Sequence, residues 1–343
     1  MTGQSKLVSV IIPTHQRRQL LQRSLQALTH QDFPRDSFEV IVSIDRSTDG
    51  TYEMAEAFDA PYDLRIIRSH RQGRAAACNA AIEAARGEVI VILDDDMEPR
   101  SALLSSHYGS HPQGSNVCVM GDAPIATDGG SPPVARYVAA KFNGHLARLS
   151  RPEHVFRTRD FYSGNTSIRR QALLDIGMYD ESFMLYGNED LELCQRLRKA
   201  GVELRFNADA ASDQRYTKSL AQLAKDTFEK GRTAVMFAAT HPEAFEGLQL
   251  AEYKAASPRW LGLRSLLLTA ARRQPGSRAW ILRLAQGAER VHVLQRPLFY
   301  RFVLDYFYWA GVDEALTESP PAGPLTLLAA ELERGPIGLL LHR

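Results

Sequence analysis

Three aspartates stand in a row, Asp94-Asp95-Asp96, directly after the apolar run Glu88-Val89-Ile90-Val91-Ile92-Leu93. Carboxylates two residues apart can share a hard cation such as Mg2+ or Mn2+, which takes oxygen ligands and accepts substrate phosphates as the rest of its shell. Such a cation neutralises a diphosphate and makes it a better leaving group. A solvated acidic turn would carry the same three letters. Placement at the end of a buried strand argues against that reading, because packed like charges repel unless something cationic binds.

Other residues have chemical potential of their own. Asp45 ends a second apolar run and could accept a hydrogen bond from the imide N–H of a uracil-like base, although an Asx turn would also use an aspartate there. His15 follows the first run and could stack on the same base or be an ordinary surface histidine. In Glu189-Asp190, a carboxylate can act as general base on a sugar hydroxyl. The competing structural reading has Asn188 as N-cap and the two acids in a first helical turn, where the helix dipole favours them. Gly164-Asn165 offers a glycine that lets backbone approach a ligand, or a simple bulge.

Alternating elements must position these groups. Leu7 to Ile12 reads as a buried strand ended by Pro13, and Arg17 to Leu28 as a helix with Leu20, Leu21, Leu25 and Leu28 on one face. Strands follow at Glu39–Ile44, Leu64–Ile67 and Glu88–Leu93, with helices at Thr51–Phe58 and Gly73–Ala85 between them. Such alternation means a parallel sheet with right-handed crossovers, whose ligand sits beyond the carboxyl ends of the strands. His15, Asp45 and Asp94 to Asp96 should therefore converge on one cleft. The middle is less regular: Gly129-Gly130-Ser131-Pro132-Pro133 marks a loop and Phe161 to Ile168 a strand. A helix follows at Arg170–Ile176, and a strong one after Asp190 carries a Glu192–Arg196 pair and ends at Gly201. Val202 to Phe206 is another strand. From Leu220 on the pattern is helical, broken at Pro242, Pro258, Pro275 and Pro297, and Pro320 to Pro324 isolates a short tail.

A chain of 343 residues fits a large α/β domain with an appended part, or two domains. The net charge of +1 argues against a dedicated nucleic-acid binder. Cys78, Cys118 and Cys194 are far apart, which argues against a zinc site or disulfide framework. After the polar start, Met1 to Lys6, no run reaches the ~20 apolar residues of a membrane span, so a cytoplasmic protein is expected. Between Ser257 and Tyr308 stand Arg259, Arg264, Arg272, Arg273, Arg278, Arg283, Arg290, Arg296 and Arg301 among aromatic and aliphatic residues. These are read as helices under the catalytic part with solvated arginines. Peripheral contact with the inner face of an anionic membrane is the second reading.

In order and spacing, the motifs resemble glycosyltransferase family 2. They are Val8-Ser9-Val10-Ile11-Ile12-Pro13-Thr14, Ser47-Thr48-Asp49-Gly50-Thr51, Gly73-Arg74-Ala75-Ala76-Ala77-Cys78-Asn79, Gly87-Glu88 with the strand into Leu93-Asp94-Asp95-Asp96, Ser163-Gly164-Asn165, and Gly187-Asn188-Glu189-Asp190-Leu191. The resemblance runs from Leu7 to Arg232. It implies a GT-A, Rossmann-like α/β fold with a mostly parallel central sheet, over residues 1–235, and a helical C-terminal extension, 236–343. Within the catalytic part, 1–122 would bind the nucleotide and 123–235 the acceptor. It further implies an inverting hexosyl transfer from a nucleotide-diphosphate sugar, with UDP as the nucleotide, to a carbohydrate or lipid-linked acceptor in polysaccharide, glycolipid or cell-envelope synthesis. A divalent cation, Mn2+ or Mg2+, comes with it.

By position, Pro13, Thr14, His15, Arg17, Asp45, Arg74, Asn79, Asp94, Asp95, Gly164 and Asn165 fall to the donor site. Asp96 and Asp94 fall to the metal, with Asp96 the more direct contact. Asp190 would be the base, and Glu189 would orient the acceptor or the base. Some positions depart from the family pattern. Ile44-Asp45-Arg46 replaces paired aspartates, His15 and Gln16 replace a tyrosine and an asparagine, and Ala211-Ser212-Asp213-Gln214-Arg215 lacks a histidine that often completes the metal shell. Either Asp213 takes that place or the site lacks the ligand. Two rivals stand beside this reading. One is a nucleotidyltransferase, which wants an early Gly-rich phosphate loop with lysine that is missing here; the other is a catalytically impaired scaffold. The motifs specify neither sugar, acceptor nor oligomeric state.

Overall fold

The computed structural model describes residues 6–69, 71–274, 276–318 and 320–340, the last seven of them by backbone alone. The polar start before Lys6 and the expected break at Pro275 lie outside the described residues. In chain order the first elements are β1 (Val8–Thr14), α1 (Arg18–Leu28), β2 (Phe38–Ile44), α2 (Thr51–Glu56), β3 (Asp63–Arg68), α3 (Arg74–Ala84) and β4 (Val89–Leu93). Then come β5 (Met97–Pro99), α4 (Leu103–Gly109), β6 (Val117–Gly121), α5 (Pro133–Leu149), β7 (Asn165–Arg169), α6 (Arg170–Asp175), α7 (Glu189–Lys199), β8 (Glu203–Asn207) and β9 (Ser212–Gln214). The helices α8 (Leu220–Thr240), α9 (Pro258–Arg273), α10 (Ser277–Glu289), α11 (Pro297–Glu318) and α12 (Pro324–Leu340) follow.

Among the described residues seven strands form one sheet in the order β3-β2-β1-β4-β7-β6-β8. β3, β2, β1 and β4 run parallel, β7 is antiparallel to both its neighbours, and β6 pairs β8 in parallel. The expected mostly parallel sheet is what forms. Its strands are continuous apolar runs because helices cover both faces. One face packs Ile11, Ile41, Ile90 and Ile92 against α3, α6 and α7. The other packs Val10, Ile12, Val42 and Val91 against α1, α2 and α4. Cys78, Cys118 and Cys194 are buried free thiols.

Pro13 does not end β1. The strand runs on to Thr14, pairing Pro13 with Ser43 of β2, while the register with β4 stops at Ile11. Proline lacks only its N–H, and at this position only one neighbouring strand remains to be paired. The irregular middle conceals β6 and α5. Pro133, read as part of a loop, is the first residue of α5, a place where proline's fixed φ and missing N–H are tolerated. The later prolines act in the same way: α9 and α11 begin on Pro258 and Pro297.

The chain divides into two compact units. The first holds the sheet and its helices up to Gly129, then Ala139–Met184 and Glu189–Tyr216. The second comprises Gly130–Val138, Leu185–Asn188 and the chain from Thr217 on, so α8 belongs with the C-terminal helices. Among the described residues no helix is long and apolar enough to cross a membrane. Inside the second unit α8 and α11 cross at two glycines. A Cβ on Gly231 would collide with the Tyr308 carbonyl, and one on Gly311 with the Phe228 carbonyl. Neither backbone atom can yield cheaply, so Gly311→Leu is expected to destabilise this unit by about 3 kcal/mol, read as an earlier urea transition in far-UV circular dichroism.

Candidate active site

The end of β4 sets the geometry. The Asp94 N–H donates to the Gly164 carbonyl at 2.9 Å. The Asp94 side chain lies over the same glycine, where a Cβ would stand 2.5 Å from Oδ2. Asp95 turns inward and accepts the Thr14 hydroxyl at 2.7 Å, tying the end of β1 to the turn after β4. Asp96 faces Arg17, whose Nη1 is 3.5 Å from Oδ2, and Gln214, whose Nε2 is 3.3 Å from Oδ1. Burial pushes the Asp95 carboxyl up to about 7; the charges of Asp96 and Asp94 add to this, against Arg17 and the Thr14 hydrogen bond.

Asp45 ends β2 beside this cluster. Its Oδ2 accepts the Gly73 N–H at 2.8 Å, and its carbonyl is 2.5 Å from Nδ1 of the exposed His15. The other oxygen, Asp45 Oδ1, is buried without a hydrogen-bond partner. Gly73, at φ +107°, makes the turn that starts α3 and presents Arg74. That arginine spans two acidic groups: Nη2 is 2.8 Å from Asp94 Oδ1 and Nη1 is 3.7 Å from Glu189 Oε1. Glu189 is buried at the start of α7, its Oε2 without a partner. Burial, then the neighbouring Asp190, push its carboxyl up to about 7, with Arg74 opposing. Asp190 is half-buried, and its Oδ1 accepts the Leu191 N–H at 2.8 Å. Asn188 sits at φ +67°, and its amide nitrogen donates to the Lys230 carbonyl and the Thr233 hydroxyl.

Thr14, His15, Arg17, Asp45, Arg74, Asp94, Asp95, Asp96 and Glu189 thus form one connected network, with Asp190 next to it. Other expected site residues are engaged elsewhere. Asn79 donates both amide hydrogens, to the Tyr179 carbonyl and to Glu181, and accepts the Tyr179 N–H. It clamps the loop before α7 and has no hydrogen left for a ligand. Asn165 is fully buried, donating to the Asp122 and Ala210 carbonyls and facing His107 Nε2. Pro13 is buried in the sheet, and Gly164 makes room for Asp94.

Asp213 lies apart from this network. On β9, paired with β5, it is held by Arg100 through both oxygens at 2.7 and 3.1 Å. Strand alternation sends its side chain away from Asp96 and brings Gln214 there instead. Gln214 was missed in the sequence; the two-residue period of a strand would have pointed to it only once the register of β9 was known. Among the described residues no three His, Cys, Asp or Glu side chains gather as a ready metal site. Two carboxylates, Asp94 and Asp96, still fit a hard cation that takes its remaining ligands from water and substrate phosphates.

Comparison with known proteins finds similarity to glycosyltransferases. Residues 9–177 match the family model described as glycosyl transferase family 2, and residues 145–218 match one described as the N-terminal domain of galactosyltransferase. An uncharacterised glycosyltransferase, YfnE, of Bacillus subtilis is 26% identical over 60% of this chain and 63% of its own length. Glycosyltransferase AglE of Haloferax volcanii is 27% identical over 68% of this chain and 74% of its own. The pre-mycofactocin glycosyltransferase of Mycobacterium tuberculosis is 29% identical over 69% of this chain, which spans only 48% of that relative. Among solved structures, the mannosyltransferase PcManGT of Pyrobaculum calidifontis, in complex with GDP-Man and Mn2+, superposes with a TM-score of 0.57 at 21% identity, over 91% of this chain and 87% of that one. TarS 1-349 of S. aureus, in complex with UDP-GlcNAc, gives 0.53 at 18% identity, over 91% and 92%. These likenesses establish the GT-A fold.

Glu189 and Asp95 make stability depend on pH. Each keeps its proton in the folded protein up to about 7, whereas the unfolded chain releases it near the ordinary carboxylate values of 4.5 and 3.8. Across that window the folded state binds more protons, so stability falls as pH rises and levels off above 7. Glu189→Gln is expected to make this decline shallower, leaving the part due to Asp95. Urea unfolding from pH 4 to pH 8 checks it, and a slope equal to that of the parent chain refutes it.

Proposed function

The chain belongs to glycosyltransferase family 2, and from that premise we propose that it moves a sugar from a UDP-sugar donor to a hydroxyl of a carbohydrate or lipid-linked acceptor, with inversion. The observation that carries the donor class is Asp45. A carboxylate with one oxygen on the Gly73 N–H and the other buried without a partner is costly unless a ligand donates to it. A uracil imide N–H is such a donor, and the exposed ring of His15 stands at the same strand end to lie against the base.

Asp94 and Asp96 would hold Mn2+ or Mg2+, which when bound neutralises charge on the diphosphate. Arg74 and Arg17 supply fixed positive charge at the same carboxylates. Asp190 is the base in this reading. It takes the proton of the acceptor hydroxyl as that oxygen bonds to the anomeric carbon. The bond from that carbon to the diphosphate oxygen breaks, and the nucleoside diphosphate leaves with the electron pair. Glu189, buried and bridged to Arg74, keeps the start of α7 in place.

Transfer is assayed by nucleoside diphosphate release across a panel of nucleotide sugars and acceptors, with Mn2+ or Mg2+. Asp190→Asn is expected to lower turnover by at least about a hundredfold, the usual scale of general-base loss, while donor affinity stays near normal. Full turnover by this variant overturns the base assignment.

A separate pair of variants tests the metal side. Asp96→Ala is expected to abolish the gain in donor affinity on adding Mn2+, measured by calorimetry. Asp213→Ala is expected to leave that gain intact, because its carboxylate is engaged by Arg100. The reverse pattern would restore Asp213 to the metal.

A further inference from the structure

Seven arginines of the C-terminal unit fall into two sets. Arg264 is buried, bonded to Asp305 and lying over the rings of Tyr253 and Trp309. Arg272 pairs with Asp313, and Arg278 with Glu314. Arg283, Arg290, Arg296 and Arg301 are exposed instead. Glu289 is the one acidic residue in the sequence between Glu252 and Asp305, and its carboxylate accepts the Tyr300 hydroxyl at 3.1 Å.

Large apolar side chains stand among the exposed arginines. On α10 only Ala285 is buried, and the opposite stripe shows Trp280 and Leu284 at 64% and 60% exposure. The turn that follows exposes Val291 and Val293, and α11 opens with an exposed Leu298. This corner is well built. The Gln295 amide donates to the Glu289 carbonyl, and Ala285 and Tyr300 bury together on its inner side. The outward residues are thus a defined face of folded chain.

We infer that the corner formed by α10, the following turn and the start of α11 docks on an anionic lipid surface, seating Trp280, Leu284, Val293 and Leu298 at the headgroup boundary with the four arginines on lipid phosphates. Apolar side chains interleaved with basic ones are what an interfacial helix requires. Tryptophan suits that boundary, with an apolar ring and a polar N–H. Charge complementarity selects the occupant. A second copy of this chain, docked by two-fold symmetry on the same face, would set four arginines against four arginines. An anionic bilayer neutralises them. The inference is independent of the glycosyl-transfer reading.

The test uses the full chain with vesicles of phosphatidylcholine, alone or mixed with phosphatidylglycerol. Co-sedimentation is expected only with the mixed vesicles and to weaken as salt is added. A blue shift of tryptophan emission should accompany binding and vanish in Trp280→Phe, since Trp309 is buried and Trp260 is stacked on Phe302. Arg283→Gln and Arg290→Gln should each lower affinity roughly fivefold. Leu284→Ser with Val293→Ser should abolish binding while thermal unfolding and donor affinity stay unchanged. No binding to either vesicle, or equal binding to both, overturns the inference. So does a concentration-dependent dimer that Leu284→Ser dissolves.

Discussion

Carboxylates crowded at the ends of β-strands are the constraint on which this molecule turns. Asp94, Asp95 and Asp96 share one strand end, and Glu189 reaches the same place from α7. Like charges at this density do not stay together unaided. The fold manages them in three ways. Arg74 lies between Asp94 and Glu189, Arg17 faces Asp96, and burial leaves Asp95 and Glu189 inclined to keep their protons.

The helices follow from the need to hold those arginines. Gly73, in a left-handed φ, starts α3 where Arg74 can span the two acids, and its N–H anchors Asp45. Asn79, on the same helix, fastens the loop around Tyr179 through three hydrogen bonds. Tyr179 in turn places its ring 5.9 Å from the Arg74 guanidinium. The end of β2 and the start of α7 are thereby joined through α3.

Much of this was legible in the sequence because it depends on local pattern. Apolar runs marked β1, β2, β3 and β4, and their polar terminal residues marked the cleft. The less legible parts depend on partners remote in the chain. Asn165 was read as a ligand contact, yet its partners are His107, Asp122 and Ala210. Burial pushes the His107 ring down to about 4, against the opposing hydrogen bond with Asn165. Asp213 and Gln214 differ by one step on a strand of three residues, and only the pairing of β9 with β5 decides which faces Asp96. Glu39, near the start of β2, is fully buried because Arg86 and Ser9, remote in the chain, meet its carboxylate.

The segment Ser163-Gly164-Asn165 helped to identify the family, and the structure gives it an unexpected meaning. Gly164 is empty space for the Asp94 carboxylate, and Asn165 is an interior brace for the strands around it. A descendant that had lost its chemistry but still needed to fold would keep the triplet, so its presence certifies architecture and is silent on turnover.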